Sequence, residues 1–465
     1  MTHPEWALKF KTPGTELRLI RGRYYLYNFT SKWDPEKKRP KKVTLGSVGT
    51  ITEEHGLIPT GMSRKGRHPK GASPFNYASK EETGFLDAFG GIEDHRSTRN
   101  QLYSIDEILL LTLCAVLCGA DGWQDVEDYG KAKIDFLRRY FAYLHGIPSD
   151  DTIRRFYRAI NPATFEHFFR EWVQGLAMVT QVTVLSIDAP AQGSPVKKDS
   201  VIAIDGKAAR RSYDGEGNML HTVSAFATEA RIVLGQTKVA DKSNEIKAIP
   251  KLLHWLDIKG HIITIDAMGC QYAIADLIVK KEGDYIFSLK GNQESLASDV
   301  KLYFEDSNLV KPQSHVDYEK AHGRIETREC QVVTDVKWLR DLHPKWKTIK
   351  SIILIRSTRE IKGKSTTENR YYLSSLALPP ERTLKAIRSH WAIENSLHWV
   401  LDMSFNEDYS RIRKDNAPYV VAILRHVALN LLQSAKQERQ SIKGLRKMCG
   451  WDDSMLEKVI SKKSS

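Results

Sequence analysis

Two apolar runs of strand length, each closing on an aspartate, constrain this chain more than anything else in it. Val201-Ile202-Ala203-Ile204 leads into Asp205-Gly206-Lys207, and His261-Ile262-Ile263-Thr264-Ile265 leads into Asp266-Ala267-Met268. Uninterrupted β-prone residues of this length read as buried strands. A carboxylate at the tip of such a strand suits a hard cation, which takes oxygen ligands. Strand ends also use Asp for ordinary turn chemistry, so one such residue means little. Two of them, with Glu394 on a helical pattern downstream, suggest a metal site.

A third strand-like run, residues 182–187, ends in Asp188 and makes that residue a rival to Asp205. Asp205 is preferred because the chain after it enters further sheet through a short basic turn, whereas Asp188 opens a longer loop over 189–200. Beyond Asp205 the patterns predict a hairpin (221–227 and 232–239), a helix (244–256), the strand ending at Asp266, a helix (272–281) and a strand (285–289). This β-β-β-α-β-α-β order is that of a ribonuclease H-like core, in which the first and fourth strands lie side by side. The third acid then belongs on a helix. Residues 291–380 delay it with one short helical piece, 294–303, and strand-like runs at 328–333, 351–355 and 370–373, the pattern of an inserted mostly-β subdomain. The helix arrives at 381–401 with Glu394 on it, and an apolar helix follows within 402–435.

Around this α/β core the chain divides further, since 465 residues predict roughly two to four domains. Residues 1–75 hold 15 Lys and Arg against 6 Asp and Glu, a large share of the formal charge of +13, and point to a polyanion partner, nucleic acid first. This basic β-rich arm contains a hairpin over 16–29 and the cluster Lys37, Lys38, Arg39, Lys41 and Lys42, where cations interleaved with aromatics suit phosphate contact and base stacking. A linker over 64–74 separates it from a helical domain, 80–179, in which Ser104 and Ser149 are placed to cap helices and the arginines 138, 139, 154, 155 and 158 offer basic faces. The catalytic domain spans 180–435, and 436–465 reads as a basic tail without a motif.

Five scattered cysteines without a C-x-x-C pair suggest neither a disulfide framework nor a zinc knuckle. The longest apolar stretch, 108–120, is shorter than the roughly 20 residues of a membrane span. No signal-peptide pattern opens the chain, so an intracellular protein without a membrane partner is expected.

Three carboxylates from separate elements match Mg2+, which keeps positions open for phosphate oxygens and water. Two such ions roughly 3.5–4 Å apart can activate an attacking oxygen and steady a leaving one in phosphodiester chemistry. His390, Glu394 and His398, spaced by four on one helix face, raise zinc as an alternative. Their spacing is not that of H-E-x-x-H, and the histidines are read instead as orienting Glu394 or touching phosphate.

Eight motifs in order now carry a resemblance: CGADGWQDVEDYGKAK (118–133), GIPSDDT (146–152), AIDGKAARRS (203–212), KSNEIKAIP (242–250), TIDAMGCQ (264–271), LKGNQ (289–293), HGRIETR (322–328) and HWAIENSLHWVLDMSFNEDYSRIR (390–413). Over residues 80–460 the chain resembles the H-repeat-associated group of insertion-sequence DDE transposases. The resemblance implies transposition at element ends in a bacterial cytoplasm, with Asp205, Asp266 and Glu394 as the metal-binding triad. It also implies Mg2+, or Mn2+ in its place, a homo-oligomer on DNA at the nucleoid, and Lys207, Arg210, Lys290 and Asn292 beside the triad meeting DNA. Against the broader pattern Y-x2-R-x3-E-x6-K, this chain has Ile387 for the Tyr, His390 for the Arg and Leu401 for the Lys. His390 is therefore the residue placed to meet DNA. Two other readings stand beside it: a nuclease of the same fold that never joins strands, and a DNA-binding protein with a silent site.

Overall fold

The computed structural model describes residues 4–20, 23–34, 39–52, 56–59, 84–89, 92, 102–180, 200–213, 217–239, 245–306, 312–321 and 323–461. It separates into two compact units, Met1–Asn76 and Tyr77–Ser465. The first holds α1 (Glu5–Leu8) and an antiparallel sheet in simple order, β1 (Thr15–Ile20), β2 (Arg23–Asp34), β3 (Arg39–Thr52) and β4 (Gly56–Pro59). The expected hairpin is β1–β2, paired from Thr15↔Asn28 to Ile20↔Arg23. Its core is small: Ala7, Leu17, Leu26 and Ile51, with Trp6, Phe10, Tyr24 and Val48 around them. Arg39, Lys41 and Lys42 fall on β3, in register with Asp34, Lys32 and Ser31, while Lys37 and Lys38 lie outside the described residues.

The second unit opens with helices α2 (Gly84–Phe89), α3 (Ile105–Leu117), α4 (Trp123–Ala132), α5 (Ile134–Leu137), α6 (Asp150–Ala159) and α7 (Pro162–Thr180). Ser104 and Glu107 form a reciprocal capping box on α3, and Ser149 caps α6. The strand expected at 182–187, Asp188 and the linker at 64–74 are outside the described residues. Next come β5 (Val201–Ala209), β6 (Leu220–Ala227), β7 (Ile232–Lys238), α8 (Glu245–Trp255), β8 (Ile262–Ile265), α9 (Tyr272–Lys280) and β9 (Asp284–Leu289), the order read from the sequence. β5, β8 and β9 pair in parallel, from Val201↔Ile262 to Ile204↔Ile265 and from Ile262↔Asp284 to Ile265↔Phe287.

The insertion comprises α10 (Glu294–Glu305), β10 (Gln313–Ala321), β11 (Arg324–Val333), α11 (Lys337–Leu342), β12 (Ser351–Ile361) and β13 (Lys364–Ser374). Its strands do not form a sheet of their own. β13 pairs with β9, Tyr371↔Leu289 to Ser374↔Ile286, so one nine-stranded sheet runs β10-β11-β12-β13-β9-β8-β5-β6-β7. The acid-bearing helix is α12 (Pro380–Ile393), followed by a π-turn over Glu394–His398 and by α13 (Trp399–Phe405). α14 (Ala417–Ala435), α15 (Ile442–Trp451) and α16 (Asp453–Ile460) close the chain.

Side-chain alternation on the central strands splits the interior in two. Val201, Ile262 and Ile286 pack with Leu384, Ala386 and Ile387 of α12, whereas Ile202, Ile263 and Phe287 join the large core shared with α8, α9 and α14. That large core also takes in α3, α6 and α7, so the helical region is built into the same body as the sheet.

The supposed basic tail is part of it too. Arg446 of α15 donates through Nε and Nη2 to the Val116 carbonyl at the end of α3, and Lys133 and Arg139 pair with Asp453 and Glu457 of α16. The basic faces of the helical region are similarly engaged: Arg154 and Arg155 meet Asp151, and Arg158 meets Asp415. Among the described residues no helix is long and apolar enough to cross a membrane.

The free edge of β7 is closed by a side chain. Asn430 of α14, fully buried, accepts from the Val233 N–H and donates to the Val233 carbonyl, both at 2.9 Å, in place of a further strand. Asn430→Leu strands two buried backbone groups, each worth roughly 1–3 kcal/mol, and should cost about 2–4 kcal/mol in urea denaturation.

Candidate active site

Sheet alternation decides where the acids point. Residues 201, 203 and 205 share one face of β5, and 262, 264 and 266 the corresponding face of β8; this is the face α12 covers, as the 3.0 Å contact between Thr264 Oγ1 and His390 Nδ1 records. The parallel ladder stops at Ile204↔Ile265. β5 was expected to end at Asp205, yet it continues to Ala209, held by β6 alone through Asp205↔Ser224 and Gly206↔Val223. Losing β8 as a neighbour there opens a notch at the carboxyl ends of the parallel strands, the usual place for an α/β site.

Asp205 lines that notch with its Oδ1 on the Gly206 N–H at 2.9 Å. Asp266 follows β8 directly, and its Oδ1 accepts from the Met268 and Gly269 N–H groups at 3.1 and 3.4 Å, which fixes the carboxylate against its own turn. Glu394 is the first residue of the π-turn, a helical irregularity frequent at functional sites. His398, at the end of the same turn, has Nδ1 3.3 Å from Glu394 Oε2 and 3.7 Å from Asp205 Oδ2.

Ligand-capable atoms thus gather in two overlapping sets, Asp205 with Glu394 and His398, and Asp205 with Asp266 and Glu245, each within 4.8 Å of one another. Asp205 belongs to both. Oxygen-rich donors converging from separate elements fit a hard divalent cation, with the single imidazole as a borderline donor. Four carboxylates this close, and few cations among them, repel unless protons or metal ions intervene.

Residues 192–431 match the family described as "Transposase DDE domain", and residues 86–173 match "DDE_Tnp_1-associated". The chain is 41% identical to "H repeat-associated putative transposase YhhI" of Escherichia coli K12 over 80% of its length and 96% of the relative's. It is 39% identical to "Putative transposase YncI" of Escherichia coli O157:H7, over 81% and 94% of the two chains. The chain belongs to the H repeat-associated family of DDE transposases. Among solved structures, a piggyBac transposase synaptic complex with hairpin DNA aligns over 83% of this chain and 79% of its own at TM-score 0.37 and 10% identity, too loose a likeness to carry an argument.

Several residues expected at the DNA surface of this transposase are engaged elsewhere. Lys207, only 10% exposed, is enclosed by acids: Nζ lies 2.6 Å from Asp402, 3.3 Å from Asp408 and 3.7 Å from Glu407. Asn292 turns its amide inward to the Ala267 carbonyl at 2.5 Å and braces the loop after Asp266. His390 sits between α12 and β8 on Thr264, and burial holds it neutral with a pKa lowered to about 4. Arg210 and Lys290 remain exposed, Arg210 beside Asp408 and Lys290 close enough to Asp266 to favour its ionised form.

Glu245, at the start of α8, was absent from the sequence-derived set. An acid in a helix's first turn is unremarkable by itself. The available clue was Gly206: a glycine inside a continuing strand marks a close approach. Here a Cβ at 206 would stand 2.0 Å from Glu245 Oε1.

Burial pushes the Asp205 carboxyl up to about 7; His398 and the Gly206 N–H oppose that rise, and Glu394 and Asp266 add to it. Glu394 is lowered, first by its hydrogen bond to His398. Asp205 is thus the more readily protonated of the two, and Glu394 the more readily ionised. An unfolded Asp titrates near 3.9, so between about pH 4 and about pH 7 the folded protein keeps a proton that the unfolded chain releases, and stability falls as pH rises through that window. With chelator present, the melting temperature should drop from about pH 5 to about pH 7, and Asp205→Asn should flatten that slope.

Lys207→Met leaves three acids facing one another and should cost about 3–5 kcal/mol of stability. The salt dependence of DNA binding should be unchanged, where loss of a phosphate contact would shallow it by about one unit.

Proposed function

We propose that this transposase binds the ends of its insertion element, cuts a strand there and joins the freed 3′ hydroxyl to target DNA, using two Mg2+ ions held by Asp205, Asp266 and Glu394. The observation that supports this most is the double membership of Asp205, which meets Asp266 on one side and Glu394 on the other. A shared carboxylate flanked by two others is what a pair of cations about 3.5–4 Å apart requires. Mg2+, when bound, supplies Lewis-acid activation of the attacking oxygen and stabilises the charge on the leaving one.

The chain's own residues orient and hold. Asp205, common to both sets of ligand-capable atoms, would help hold both cations and would have to be ionised to do so. Asp266, pinned by two backbone N–H groups, faces one position; Glu394, steadied by His398, faces the other. Lys290, exposed and near Asp266, and Arg210, exposed just after β5, meet phosphate in this reading. The basic residues Lys37, Lys38, Arg39, Lys41 and Lys42 supply further, sequence-independent attraction for DNA, and Mn2+ substitutes for Mg2+. The protein acts in the bacterial cytoplasm, at the nucleoid, as a homodimer or larger assembly, so that both element ends are handled together.

Asp205→Ala, Asp266→Ala and Glu394→Ala should each leave DNA binding within about twofold while lowering Mg2+-dependent cutting by at least about 10^3-fold, the scale of removing charge stabilisation at a reacting centre. The assay uses DNA bearing the element's ends plus a target plasmid, scored for both cut and joined product. Cutting without joining by the wild type would leave a nuclease; equal cutting by wild type and Asp205→Ala would sink the metal assignment.

A further inference from the structure

We infer that Glu245 is a fourth carboxylate ligand, serving the cation shared by Asp205 and Asp266. This rests on the two-cation reading above and extends it to a residue outside the triad.

Three observations converge. Glu245 contributes a ligand-capable oxygen within 4.8 Å of those of both Asp205 and Asp266, whereas Glu394 groups with Asp205 on the other side. The side chain is close to buried, 12% exposed. Among the described residues its partner is His221, whose Nε2 lies 2.8 Å from Oε1. Most telling is the backbone: Glu245 reaches across Gly206, the residue directly after Asp205, where any Cβ would collide with Oε1 at 2.0 Å and Cδ at 2.4 Å. A strand that continues through Gly206 and Lys207 to Ala209 has no conformational need of glycine there. The glycine clears room for this carboxylate.

An acid serving merely as a helix-end or surface group has no reason to be packed against two others. Placed there it raises the electrostatic cost of the metal-free site, and that cost is recovered when a divalent cation binds. His221 then orients the carboxylate as an outer partner, the role such groups play behind metal ligands. Each cation position thus acquires a helper beyond the triad, Glu245 on the Asp266 side and His398 on the Glu394 side.

The test uses the full chain stripped of metal, titrated with MnCl2 alone and followed by calorimetry, with melting temperatures read before and after Mn2+. Glu245→Gln should weaken Mn2+ binding by roughly tenfold or more. Its metal-free melting temperature should equal or exceed that of the wild type, because one repelling charge is gone. A Glu245→Gln protein that binds Mn2+ like the wild type, while Asp205→Asn does not, overturns the inference and leaves the two-cation reading intact. If Asp205→Asn also binds Mn2+ normally, that reading fails first. A fall in the metal-free melting temperature with the Mn2+-induced rise unchanged marks Glu245 as a strut for His221 and equally overturns it. Should Glu245→Gln not fold, Glu245→Asp keeps the charge and withdraws it by one methylene: weaker Mn2+ binding supports ligation, unchanged binding refutes it.

Discussion

Mutual repulsion among buried carboxylates is the constraint around which this protein is arranged. Asp205, Asp266, Glu245 and Glu394 come from a strand, a turn and two helices, and the fold gathers the other three around Asp205 at the carboxyl ends of the parallel strands β5 and β8. Left to themselves such groups separate or take up protons, and burial with its acidic neighbours shifts Asp205 toward the protonated form. What keeps them together is geometry imposed from outside the cluster: the parallel register of β5 and β8, the close approach at Gly206, and α12 pressed on one face by Leu384, Ala386 and Ile387.

Lys207 has a part in this that its position beside Asp205 conceals. It lies two residues on, along the same face of β5, and its ammonium is gripped by Asp402, Glu407 and Asp408, all of which follow Glu394 in the chain. The pairing therefore ties the strand carrying the first acid to the segment carrying the third. Arg425 of α14 adds a second cation, 3.6 Å from Glu407, and donates to Ser410 at 3.2 Å. Buried ion pairs of this kind contribute little net stability relative to apolar packing, but breaking one is costly. A slip of one residue in β5 would turn Asp205 away from α12 and carry Lys207 out of its cage in the same step.

The parts of this arrangement that were legible in the sequence are those with a local signature. Continuous apolar runs announced β5, β8 and β9, the alternation of helix and strand gave their order, and Ser104 and Ser149 marked helix starts. What could not be read depends on partners far along the chain. β10 is mostly polar, and its apolar residues Val316 and Tyr318 are exposed at a sheet edge, so it has no buried face to signal it. The insertion looked like a separate subdomain because nothing local reports that β13 pairs with β9. Lys207 read as a cation available to DNA because the acids that receive it are 195 to 201 residues distant.

The same distinction bears on specificity and chemistry within the site. The pattern Y-x2-R-x3-E-x6-K places a cation one turn before the glutamate, and here that position is His390, neutral and bonded to Thr264. The charge that other arrangements would put on α12 is thus missing from its inner face, while Lys290, after β9 and near Asp266, and Arg210, just after β5 and beside Asp408, are exposed cations. They stand on the strand side of the notch. Phosphate drawn to them would approach across the carboxyl ends of the sheet, with α12 serving to present Glu394 and the π-turn to bring His398 back onto it. In this chain α12 leads into the turn that presents Glu394, and the exposed cations Lys290 and Arg210 stand at strand ends.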